Sequence, residues 1–201
     1  MRDDIRTILV RFGECLAVAL FLAGIVGLIY IDEISNQNVR ESYVEFGQEA
    51  LILLTTAIFT TFAVRKRVGG LWLVAGFFGC MTIREFDGYF DLITHGSWKY
   101  FALAFAGFFS YQAYRLGKEN TLASLVAFMK TRAYTFIFIG LIIVLVFSRL
   151  FGISELWQAA LGDHFTRSVK NLAEEGTELL GYALIFWGAL NYLFDSKKNL
   201  H

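Results

Sequence analysis

Two pairs of glutamates four residues apart, Glu45 with Glu49 and Glu174 with Glu178, sit where apolar stretches begin. Residues at that spacing share one face of a helix, so each pair forms a stripe of negative charge. Two arginines, Arg84 and Arg149, close apolar stretches that would run the opposite way. Carboxylates and guanidinium groups inside an apolar chain have two uses. They form a salt-bridge network that fixes helix register, or they hold a proton, a metal cation or a cationic ligand.

Acids outnumber cations at this depth: Glu45, Glu49, Glu85, Asp87, Glu174, Glu175 and Glu178 stand against Arg84 and Arg149. The helix macrodipole favours acids in a first turn, which accounts for Glu45, Glu174 and Glu175. It does not account for Glu49 and Glu178, one turn deeper. A charge left in hydrocarbon there costs at least ~2.5–3.5 kcal/mol, so these groups must face the bundle interior. The expectation is an acid-rich, hydrated outer cavity. Glu49 and Glu178 are its central acceptors, Arg84 and Arg149 their charge partners, and Glu45, Glu174, Glu85 and Asp87 its entrance.

The two glutamate segments resemble each other. "VEFGQEAL" at 44–51 and "AEEGTELL" at 173–180 agree at Glu45 and Glu174, Gly47 and Gly176, Glu49 and Glu178, and Leu51 and Leu180. "IREFDG" and "SRLFGI" likewise align Arg84 with Arg149 and Phe86 with Phe151. Either the chain carries a weak internal repeat or matches this short arise by chance.

The stretch "REFDGYFDLITHGSW" at 84–98 gathers Glu85, Asp87, Asp91 and His95 near the cavity mouth. If the protein is an enzyme acting on a lipid headgroup, Asp91, His95 and His164 are its acid–base candidates. No nucleophile motif surrounds any serine. The competing reading is a polar interfacial loop anchored by Tyr89, Trp98 and Tyr100. No catalytic residue is assigned outright and no cofactor is expected. A di-iron carboxylate site needs Glu-x-x-His elements, which the chain lacks. His95 and His164 fall on loops without a helical partner at ligand spacing, so no zinc site is assigned. A hard cation on carboxylate oxygens stays open. A retinal Schiff base needs a lysine within a span, and Lys99 falls at an outer end.

The elements that position these groups follow from composition. Of 201 residues 56% are hydrophobic and 18% charged, with 21 Phe, no Pro and a mean hydropathy of +0.53. Ordinary soluble domains carry roughly 25% charged residues, and several apolar runs here reach the ~20 residues that cross a bilayer. The expected fold is an all-α membrane protein of six transmembrane helices in one bundle. The whole chain, 1–201, is one polytopic domain with spans about 8–31, 44–64, 69–90, 98–116, 133–151 and 172–194. The run from Phe12 to Ile31 is long for a signal sequence and lacks a small-x-small cleavage site after it, so it reads as a retained helix. Absent prolines argue for straight helices and short loops.

Charge sets the orientation. Twelve of the eighteen Lys and Arg fall on the N-terminal stretch, 65–67, 115–132 and the C-terminal tail, while thirteen of the eighteen acids fall on the other side. The positive-inside rule then places both termini in the cytoplasm, which suits a multi-pass protein of a bacterial-type inner (plasma) membrane. A net charge of zero gives no reason to expect nucleic acid. Leu122, Leu125, Val126 and Met129 recur at helical spacing beside Lys118 and Lys130, as in a helix lying on the inner interface or packed on the bundle. Gly24-x-x-Gly27 and Gly76-x-x-Gly79 read as close-packing pairs. Cys15 and Cys80 read as small hydrophobes.

The expected role is ion, proton or small-ligand binding, in a transporter subunit or a membrane sensor. The alternatives are a headgroup-modifying enzyme and a structural subunit of a membrane complex. Expected partners are membrane lipids, with a cation or proton, a homo-oligomer or a membrane partner protein also open.

Overall fold

The structure, a computed structural model, describes residues 2–35 and 42–198. Arg40, Glu41 and His201 lie outside the described residues, so the charges counted for the first two have no structural account. Among the described residues every regular element is helical. In chain order these are α1 (Arg2–Ser35), α2 (Tyr43–Lys66), α3 (Gly69–Glu85), α4 (Asp87–Asp91), α5 (Trp98–Arg115), α6 (Lys118–Met129), α7 (Arg132–Ile142), α8 (Ser148–Phe151), α9 (Ser154–Leu161) and α10 (Arg167–Lys198). A π-helical turn, Ile143–Phe147, joins α7 to α8 without a break, and a 3₁₀ turn at Gly162–His164 follows α9.

Among the described residues three helices are long and apolar enough to cross a membrane: α1 over Asp4–Ile34, α2, and the continuous helix Arg132–Phe151. The sequence reading expects six. The shortfall has local causes. α3 ends at Glu85 after 17 residues, about 26 Å of helix against a hydrocarbon core of ~30 Å. α10 is 32 residues long, but the acids in its first half and its polar C-terminal end dilute its apolar character.

The long helices pack in a row, α5 beside α3, then α2, α10 and α7, with α1 laid over α10 and α2. Helices in lipid gain little from apolar contact alone, so close approach matters. It occurs along the α7–α10 crossing. A Cβ on Gly140 would lie 2.6 Å from the Gly181 carbonyl, and one on Gly188 2.8 Å from the Ala133 carbonyl. The expected glycine pairs behave differently. Gly76 and Gly79 receive the Phe109 and Phe105 side chains of α5, whereas Gly24 and Gly27 have no atom within 4 Å of a built Cβ. Phenylalanine fills the core: the Phe59 ring lies 5.6 Å from Phe78, 5.5 Å from Phe128 and 5.5 Å from Tyr192.

Helix ends set the registers. Ser42 caps α2, its Oγ accepting from the Val44 and Glu45 amides while its hydroxyl donates to Asp32 at 2.8 Å. This ties the end of α1 to the start of α2. α6 crosses the N-terminal end of α3. There the Gly69 amide donates to Asn120 Oδ1 and the Gly70 amide to Ser124 Oγ, both at 2.8 Å. The "ENTLASLVAFMK" helix thus packs across the end of α3, while Leu122, Val126 and Met129 stay exposed.

Candidate functional site

The starts of α2 and α10 and the ends of α3 and α8 meet at one end of the row. Between them lies a cavity of about 860 Å³. α2 lines it with Glu45, Gln48 and Glu49, α3 with Arg84 and Glu85, α4 with Asp87, α8 with Arg149, and α10 with Glu174, Glu175 and Glu178. Residues from four separate stretches of sequence thus converge on the cavity inferred from charge imbalance. Both expected acceptors, the four expected entrance acids and both arginines line it.

The ion pairs within it are uneven. Arg149 pairs with Glu178 and lies 3.9 Å from Glu174, which Lys170 also holds at 2.7 Å. Glu174 can reach Arg149 because residue 152 is glycine; a Cβ there would lie 2.5 Å from the Glu174 carboxylate. Arg84 differs from the expected pairing. It bonds Asp87 at 2.6 Å, three residues on, and stacks over the Trp98 ring at 5.7 Å, so it does not serve Glu49. Glu85 accepts from the Tyr182 hydroxyl at 2.7 Å. Among the described residues, Glu45, Glu49 and Glu175 form no ion pair.

Sequence reasoning missed four contributors. Gln48 donates to the Glu175 carbonyl at 2.9 Å and holds α2 against α10. Ser148 places its hydroxyl 3.3 Å from Glu178 Oε1, and Lys170 and Tyr182 act as described above. A signal existed for Tyr182 and Lys170, since Lys170, Glu174, Glu178 and Tyr182 recur every four residues on one face of α10. None existed for Gln48 or Ser148, whose partners are distant in sequence.

The enzyme candidates stand apart. His95 Nδ1 lies 2.9 Å from Asp91 Oδ2, and the His95 side chain is 96% exposed. The Gly96 amide donates to Asp91 Oδ1 at 2.8 Å. That bond, helped by His95, holds the Asp91 carboxyl below its ordinary value. His164 is exposed in the 3₁₀ turn after α9. Asp91, His95 and His164 are all absent from the cavity wall.

Beneath the cavity the polar side chains are spent on the helices themselves. Thr55 and Thr56 donate to carbonyls four residues back, and Thr56 meets Thr82 at 2.9 Å. A second cavity of about 590 Å³ lies beside the first, between the end of α1 and the starts of α2 and α10. Glu175 lines both, with Asp32 and Glu33 on the far wall. Among the described residues no three His, Cys, Asp or Glu side chains converge as they would around a metal ion. No protein-family model matches the chain, and neither a curated protein nor a solved structure matches it.

Proposed function

We propose that this is an inner-membrane protein whose acidic outer cavity binds a cation, as a small-ligand-binding transporter subunit or a sensor of the outer side. In this reading α3, α5 and α10 also cross the membrane. The crossings then number six, and the basic ends of the chain face the cytoplasm. One observation carries the reading: seven carboxylates share a cavity with two arginines, and Glu45, Glu49 and Glu175 form no ion pair among the described residues. A network built only to hold register would match the half-buried Glu49 and Glu175, because a charge held away from water without a partner destabilises the fold.

The spread of the carboxylates around about 860 Å³ favours a cation larger than a bare divalent ion, which needs six or more oxygens within ~2.6 Å. An ammonium-bearing organic cation or a hydrated ion suits the space. The threonines bonded to each other and to their own helices beneath the cavity offer no polar path onward. That supports a binding site that reports or hands on its ligand over a channel through the monomer.

The test is thermal unfolding of the purified protein in neutral detergent, with and without butylammonium, sodium or magnesium. Wild type is expected to melt higher with at least one of them. Glu49→Gln is expected to fold and to lose that shift. If no cation moves the melting temperature, or if Glu49→Gln keeps the full shift, the cavity is not a cation site.

A further inference from the structure

The acidic cavity has a lipid-side annex. Below its rim, a cleft of about 320 Å³ is lined by Phe77, Cys80 and Met81 of α3, Val144 and Leu145 of the π turn, and Tyr182 of α10. Arg84, Glu85 and Arg149 line both this cleft and the acidic cavity, so the two spaces share a wall. The cleft exists because α3 and the α7–α8 helix both pack on the centre of the row and not on each other; among the described residues their backbones make no contact. Its lips face outward, with Phe77 46% and Leu145 56% exposed. From Phe77 to Arg84 it runs about 10 Å along α3.

We infer that the cleft between α3 and the α7–α8 helix seats the hydrocarbon chain of an amphiphile whose ammonium head lies in the acidic cavity above it. The inference rests on the cation reading and narrows it to a ligand that arrives from the membrane. Charge complementarity selects the head. An apolar cleft facing lipid accepts any chain, but this one opens onto seven carboxylates and two arginines, which repel anionic heads and favour a cationic one. The chain supplies the burial that a small cation lacks, and head and chain meet at the shared wall of Arg84, Glu85 and Arg149, with the ammonium lying past it among the remaining six carboxylates.

Cys80 lines the cleft and is half-buried, so it reports on occupancy. The exposed Cys15 is first replaced by Ser, leaving one thiol. The protein in neutral maltoside detergent is treated with a methanethiosulfonate reagent in the presence of decylammonium, butylammonium or decanol, and the labelling rate is read by intact mass. Decylammonium is expected to block Cys80 at concentrations at least ~10-fold below butylammonium, since each methylene buried strengthens binding roughly 4-fold. Decanol is expected to give no protection. Leu145→Trp, a change at an exposed lip, is expected to erase the advantage of the longer chain, and Glu49→Gln to weaken protection by decylammonium.

Equal protection by decanol and decylammonium would overturn the proposal, because the cleft would then take chains regardless of head. So would a chain-length preference that survives Leu145→Trp, or butylammonium as potent as decylammonium. In each of those cases a butylammonium shift in the melting temperature would leave the cation site standing. If neither amine changes labelling or melting, both readings fall together.

Discussion

The hydroxyl of Tyr182 donates to Glu85 Oε1 at 2.7 Å, tying the middle of α10 to the last residue of α3 where the acidic cavity meets the apolar cleft. Tyr182 is 2% exposed, and its ring belongs to the core formed by Ile52, Phe78 and Ile185. One side chain therefore packs the bundle and satisfies an acid at the cavity wall.

Tyr182→Phe keeps the ring and removes the donor. Glu85 is left without the hydroxyl that holds it, which is expected to lower stability by about 1–3 kcal/mol. Glu85→Gln retains an acceptor for the tyrosine and should cost less. Thermal or denaturant unfolding of the two variants in detergent checks this order; a Tyr182→Phe protein as stable as wild type would show that the bond contributes nothing.

The uneven pairing predicts opposite responses from two neighbouring charges. Arg149 holds Glu178, whose side chain is only 13% exposed, and Arg149→Ala leaves that acid with the Ser148 hydroxyl alone. Because Arg149 is itself 56% exposed, the full cost of breaking a buried pair is discounted to about 1–3 kcal/mol. Glu49 has no cation to strand, and Glu45 and Glu85 lie close enough to repel it. Glu49→Gln is expected to leave stability unchanged or raise it slightly in the absence of added cation. Unfolding midpoints of both variants in the same detergent decide the matter. Equal losses would mean that Glu49 is clamped as firmly as Glu178.

These contrasts mark how far the sequence could be read. The cavity itself was legible, because glutamates four apart must share a helix face and a charge in lipid must turn inward. The role of Arg84 was not. α3 stops at Glu85, and the turn that follows brings Asp87 and Trp98 to the guanidinium, an outcome of loop geometry that residue spacing does not encode. The same limit applies to glycine. Gly24-x-x-Gly27 carries the close-packing spacing yet meets nothing, while the widely spaced Gly140, Gly181 and Gly188 bring two helix backbones together. Spacing defines a face but not the neighbour opposite it. The π turn at 143–147 had no sequence signal at all.

The loop after α4 should respond to pH in one direction. Asp91 accepts from the Gly96 amide and from His95, and the first of these bonds is the larger cause of its lowered pKa. A carboxyl whose folded pKa is depressed contributes stability above its unfolded value, near 3.8, and loses it as pH falls through the folded one. Protection of the Gly96 amide against hydrogen exchange is therefore expected to hold at neutral pH and to fade only below about pH 4. Asp91→Ala should abolish it at every pH. Gly96 has φ +77, so Gly96→Ala should also loosen the turn, by roughly 1 kcal/mol. An exchange rate independent of Asp91 would mean that the backbone alone forms the turn.

Glycine substitutions then test which helix crossing holds the bundle. A methyl at Gly140 would collide with the Gly181 carbonyl at 2.6 Å and with Ile185 Cγ1 at 2.8 Å. Those atoms belong to a helix backbone and a fully buried side chain, neither of which swings aside, so α7 and α10 must separate. Gly140→Ala is expected to cost about 1–3 kcal/mol despite the better helix propensity of alanine. Gly24→Ala adds the same methyl to a position with open space around it. Propensity is then the surviving term, and the variant should be neutral or more stable by up to ~1 kcal/mol. Both are read by unfolding of the purified protein at several protein-to-detergent ratios. A Gly24→Ala protein that destabilises strongly at high protein ratio, and not when diluted in detergent, would instead show that this face of α1 meets a second copy of the chain.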